Sequence, residues 1–131
     1  MSARALRLPG AAAVLIGGAI HLRLVFDEYG NTDLQRSFVL NALVSAAAAA
    51  YLVVRADRIG PLAGLAVTLG SLLAFALSRT GDGVLDCRAT GLDPASEALL
   101  ALLVEVLAVV LLAAVLVVEG REAAATSSRR S

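Results

Sequence analysis

The sequence predicts an all-α fold, a four-helix transmembrane bundle with both termini in the cytoplasm. Three observations predict it. Apolar residues make up 59% of the chain, against roughly 45–50% in a soluble domain. The excess is Ala, Leu and Val, with 4% aromatics and no Trp, and the mean hydropathy is +0.83. The apolar residues also fall into four runs, each of a length that crosses a bilayer at about 1.5 Å per residue. Inside lipid the backbone must satisfy its own hydrogen bonds, so the runs are expected to be helical.

Residues 1–7 form a short cytoplasmic N-terminus carrying Arg4 and Arg7. The first span covers about residues 8–26. Pro9 suits the first turn of a helix, where its missing N–H costs nothing. An Arg-containing start before an apolar run also fits a secretory signal. However, His-Leu-Arg follows the run rather than a small-x-small cleavage site, so it reads as a retained span.

The second span covers about 37–54 and includes five consecutive alanines at 46–50. The third covers about 61–78, after the tight loop Arg-Ala-Asp-Arg-Ile-Gly. The fourth covers about 98–118. In the loop before it, Asp93 and Pro94 read as an N-cap and first helical residue. Residues 119–131 read as a disordered cytoplasmic tail.

Arginine counts give the orientation. The N-terminus, second loop and tail hold seven arginines: Arg4, Arg7, Arg55, Arg58, Arg121, Arg129 and Arg130. The first and third loops hold four: Arg23, Arg36, Arg79 and Arg88. The positive-inside rule then keeps both termini in the cytoplasm. The outer face is acidic, with a rim of Asp27, Glu28, Asp82 and Asp86.

Composition also excludes functions. The formal charge is zero and there is no basic cluster, so no nucleic-acid partner is expected. The single cysteine, Cys87, allows no intramolecular disulfide and no haem-attachment motif. One histidine rules out a bis-His haem, and no cofactor is expected. Asp82 and Asp86 lack the spacing of a calcium loop.

Each span carries one polar or small stripe at helical spacing. The stripes are Val14, Gly18, His21, Val25, Glu28; Ser37, Asn41, Ser45, Ala48; Gly64, Thr68, Ser71, Phe75, Ser78; and Ala98, Ala101, Glu105, Ala108. Membrane helices pack through small and hydrogen-bonding residues, so these stripes should face inward. His21, Asn41 and Glu105 would lie about 7, 6 and 10 Å below the outer end of their spans, with Arg79 at the rim.

Glu105 is the sharpest residue. An acid within a span costs about 2.5–3.5 kcal/mol on insertion scales, so it must face inward and find a partner or keep its proton. The candidate partners are His21 and Arg79, with Asn41 as a neutral donor. These four residues are expected to form a non-enzymatic site for a proton, a cation or a small ligand. A purely structural tie between the helices is the alternative. One His and one inward acid are too few for an assigned metal site.

Four stretches carry a resemblance: GGAIHLRLVFDEYGN (17–31), RSFVLNA (36–42), LSRTGDG (77–83) and GLDPASEALLALLVEVLA (91–108). Together they resemble an uncharacterised family of small four-span membrane proteins frequent in actinobacteria. The resemblance implies the four-span fold and carries over no activity, cofactor or partner. His21, Asn41, Arg79 and Glu105 all lie in the matching stretches. A bacterial plasma membrane is therefore expected, with the lipid bilayer, further copies of the chain or a larger membrane complex as partners.

Overall fold

The structure is a computed structural model that describes residues 1–26, 32–80 and 95–130. The described residues form four α-helices and no strand: α1 (Ala3–Leu24), α2 (Thr32–Val54), α3 (Ile59–Leu77) and α4 (Ala95–Arg130). All four are long and apolar enough to cross a membrane. The acidic rim read from the sequence (Asp27, Glu28, Asp82, Asp86), Cys87 and the Asp93-Pro94 helix start lie outside the described residues.

The helices begin and end differently from the apolar runs. α1 starts at Ala3 because Ser2 is extended (φ −78°, ψ 154°) and its hydroxyl accepts the Ala5 N–H at 3.3 Å. Such a cap satisfies one of the orphan donors of a helix N-terminus. Pro9 therefore stands inside α1 rather than in its first turn. α4 continues as helix to Arg130, through the stretch read as a disordered tail. At 36 residues it is about 54 Å long, well beyond a hydrocarbon core of about 30 Å. Its last ten described residues, 121–130, are exposed.

Helix order follows from the contacts. α1 packs against α2 and α4, and α3 against the same two; α1 also touches α3, while the backbones of α2 and α4 make no close approach. The bundle therefore runs α1, α2, α3, α4 around its axis, with α1 and α3 on the short diagonal. Arg7 near the start of α1 bonds residues at the end of α2 and late in α4, whereas His21 near the end of α1 meets Glu105 early in α4. Neighbouring helices are thus antiparallel.

Polarity is inverted relative to a soluble bundle. Leucines and valines such as Leu43, Leu73, Leu103 and Val110 point outward at 59–64% exposure. Alanine, glycine and serine fill the interior, including Ala11, Gly18, Ser45, Ala48, Ala101 and Ala108. This is the packing expected where lipid supplies the outer solvent and close helix approach supplies the attraction. With four such helices, the chain is a multi-pass membrane protein.

Three layers stack along the axis. At the His21 end the interior is polar. Next to it is an apolar cluster around Val14, Leu52, Ala108 and Leu112. Gly10, Gly60 and Gly64 make room for Leu52 and Leu112: a Cβ at Gly64 would lie 2.8 Å from the Leu112 side chain. Beyond this cluster a third, charged layer closes the bundle.

Candidate functional site

The polar layer draws on all four helices. On α1, steps of four and three place Val14, Gly18 and His21 on the inner face. Gly18 lets α2 come so close that a Cβ there would meet Ser45 Cβ at 2.7 Å. On α4, the same spacing turns Ala101, Glu105 and Ala108 inward, each at or below 5% exposure. His21 Nε2 and Glu105 Oε1 lie 2.8 Å apart, which joins two residues 84 positions distant in the chain.

The histidine ring is held from the side by Phe38 of α2, with centroids 5.5 Å apart and planes tilted by 32°. Its second nitrogen, Nδ1, is buried and has no hydrogen-bond partner among the described residues. Such an orphan is uncommon, since nearly all buried polar groups are paired.

Asn41 is committed elsewhere in the layer. Its Nδ2 donates to Ser71 Oγ of α3 at 2.5 Å, and its Oδ1 accepts from Ser45 Oγ at 3.3 Å. Thr68 turns its hydroxyl back to the Gly64 carbonyl at 2.8 Å. A cavity of about 10 Å³ lies between Glu105, Asn41, Ser45, Thr68 and Ser71. That is room for about one water molecule.

The four residues singled out by sequence thus separate. His21 and Glu105 form a direct pair. Asn41 lines the same cavity but bonds Ser71. Arg79 stays with the last turn of α3, where it donates to Ser78 Oγ at 2.5 Å and lies 3.6 Å over the Phe75 ring. Glu105 is paired with His21 rather than with Arg79. Among the described residues no group of three His, Cys, Asp or Glu side chains converges to hold a metal ion.

The charged layer at the opposite end is one that sequence reasoning missed. Arg7, counted only as a topology signal, is 6% exposed. Its Nε donates to Glu119 Oε1 at 3.1 Å, and its Nη2 also pairs with that oxygen. Nη1 donates to the carbonyls of Leu52 at 3.1 Å and Arg55 at 2.7 Å, and Nη2 to that of Asp57 at 2.7 Å. Arg7 therefore fastens α1 to α4 and caps the carbonyl end of α2, where helices leave acceptors free. A signal for it was present. Extending the α1 stripe backward from Val14 reaches Gly10 and Arg7, and extending the α4 stripe forward from Ala108 reaches Leu112, Val115 and Glu119.

Asp57 organises the loop beside this layer. Its Oδ2 accepts from the Tyr51 hydroxyl at 2.9 Å and its Oδ1 from the Ile59 N–H at 3.1 Å, which starts α3. Burial opposes its charge, but the Tyr51 hydroxyl, the Gly60 and Ile59 amides and Arg55 outweigh it and hold the carboxyl below its ordinary range.

No protein-family model, curated protein or solved structure matches this chain.

Proposed function

We propose that the chain is a non-enzymatic membrane module whose His21–Glu105 pair takes up and releases a proton within the bilayer. The observation that carries this reading is the 2.8 Å contact of His21 Nε2 with Glu105 Oε1 beside an unpartnered, buried Nδ1. One geometry serves more than one protonation state. An Nε2–H donates to a carboxylate whether or not the ring is charged, and a protonated Glu105 can donate to a bare Nε2. The orphan Nδ1 is the position at which an added proton, or a proton donor, would be met.

The site's size narrows the choice between a proton, a cation and a small ligand. A cavity of about 10 Å³ leaves no room for an organic ligand. With no third His, Cys, Asp or Glu converging on the pair among the described residues, a metal ion has less support than a proton. An ionisable residue within a span is a functional candidate by default, because its insertion is costly.

The orientation we favour puts both termini in the cytoplasm of a bacterium, with the His21 layer in the outer leaflet. Its support is the excess of arginines on the terminal side, seven against four. Further copies of the chain or a larger membrane complex would be its working context.

A second reading is a structural tie, with the protein acting as an assembly subunit. It is favoured by the Asn41–Ser71 and Ser45–Asn41 bonds, through which much of the layer satisfies itself. Thermal stability of the detergent-purified protein across pH separates the two. Wild type, His21→Ala, Glu105→Gln and the double variant would be compared. Under the proton reading, the wild-type midpoint moves with pH and both single variants lose that response. If all four respond alike, with a constant offset for the variants, the pair is a tie and the proton reading falls.

A further inference from the structure

We propose a second binding site on the lipid-facing side of the bundle, for one anionic phospholipid. Where α1 ends and α2 begins, a groove of about 390 Å³ opens outward at the His21 end. Gln35 lines it, and its Nε2 donates to the Val25 carbonyl at 3.0 Å, which ties the end of α1 to α2. Along α2 the lining changes character in one direction. Thr32 and Arg36 stand at the mouth, followed by Val39, Leu40 and Leu43.

These residues recur at steps of three and four, so they share one helix face. Arg36 and Leu43 are separated by about 10 Å along the axis. The face therefore runs from a cation at headgroup depth into an apolar trough that points toward the bilayer centre. That order of chemistry is the order found along a phospholipid: phosphate first, acyl chain after.

Two features favour a phosphate over a plain lipid tail. Arg36 is the mouth's cation, and guanidinium groups bind phosphate oxygens in paired hydrogen bonds. Its ion pair among the described residues, to Asp33, spans 3.7 Å between side chains 78% and 74% exposed. A pair so open to solvent holds an arginine weakly, which leaves the guanidinium's donors available. The trough beneath is equally open: Leu40 and Leu43 are 62% and 64% exposed.

The test is native mass spectrometry of the full chain released from detergent, titrated with phosphatidylglycerol, phosphatidylcholine or inorganic phosphate. The expected result is a saturable single adduct with phosphatidylglycerol, weakened about fivefold in Arg36→Gln and unchanged in Arg23→Gln. Val39→Trp, which fills the trough, should remove the adduct while Arg36 remains. Raising salt should weaken the wild-type adduct, which tests the charge without any substitution. Equal binding of both lipids, or equal loss in Arg36→Gln and Arg23→Gln, overturns the proposal. So does an adduct that persists in Val39→Trp, or displacement by inorganic phosphate alone, which would leave an anion site without a lipid.

Discussion

Arg7→Met would cost the bundle about 4–6 kcal/mol. The magnitude follows from what the substitution strands. Removing one member of a buried ion pair costs about 3–5 kcal/mol, because the other charge is left uncompensated. Glu119 is already under-satisfied: its Oε2 is buried without a partner among the described residues, so the loss of Arg7 would leave both oxygens bare. The Leu52 carbonyl, in buried surroundings, loses its arginine donor as well, worth at least about 1 kcal/mol. Glu119→Gln should cost less, about 1–3 kcal/mol, because Arg7 keeps its bonds to the carbonyls of Leu52, Arg55 and Asp57. The double variant strands neither charge and should cost about 2 kcal/mol less than the sum of the single losses. The assay is equilibrium unfolding in mixed micelles at neutral pH. If Arg7→Met costs under about 1 kcal/mol, the range of an exposed pair, or if the cycle is additive, the reasoning fails. Arg7 would then be a surface cation reaching for the headgroups.

Two further predictions also concern stability. Gly18→Ala places a Cβ 2.7 Å from Ser45 Cβ and should destabilise by about 1–3 kcal/mol, whereas Gly70→Ala meets nothing within 4 Å and should be neutral or stabilising by up to about 1 kcal/mol; equal effects would refute the close approach of α1 and α2. The Asp57 carboxyl is held below its ordinary range, so its folded pKa lies under its unfolded one. Its contribution is then present above the unfolded value near 3.8 and lost as pH falls through the folded value. The gap in melting temperature between wild type and Asp57→Asn should close on acidification below about pH 4, and a gap that stays constant would count against the Tyr51 and amide contacts as its cause.

Much of the interior was legible because helical period and membrane cost act together. A span can hide His21, Asn41 or Glu105 only on the face shared with small residues, and that face is read by counting in threes and fours. The depth of His21 and Glu105 along antiparallel spans then brought them to one level, and the structure joins them at 2.8 Å. Partner choice was less legible. Asn41 stood at a similar depth to the pair and Arg79 at the rim, yet Asn41 finds Ser71, and Arg79 lies over Phe75 in its own turn. Which neighbour wins depends on helix order, and no spacing rule encodes that. Arg7 and Glu119 were missed for a different reason. Both lie at the margins of the apolar runs, where charge is normally a sign of solvent. Their burial comes from α1 and α4 continuing as helices past the ends of those runs.

The long sequence separation of the two ion pairs has a consequence for how the protein is made. His21 and Glu105 are 84 residues apart, and Arg7 and Glu119 are 112 apart. At ribosomal rates of about 5–20 residues per second, α1 exists for about 4–20 s before either acid is synthesised. During that interval Arg7 and His21 are without the acids they pair with in the folded chain. Neither ion pair can therefore close until α4 has been made. A chain that ends before α4 lacks both acids, and with them the two ties from α1 to the last helix.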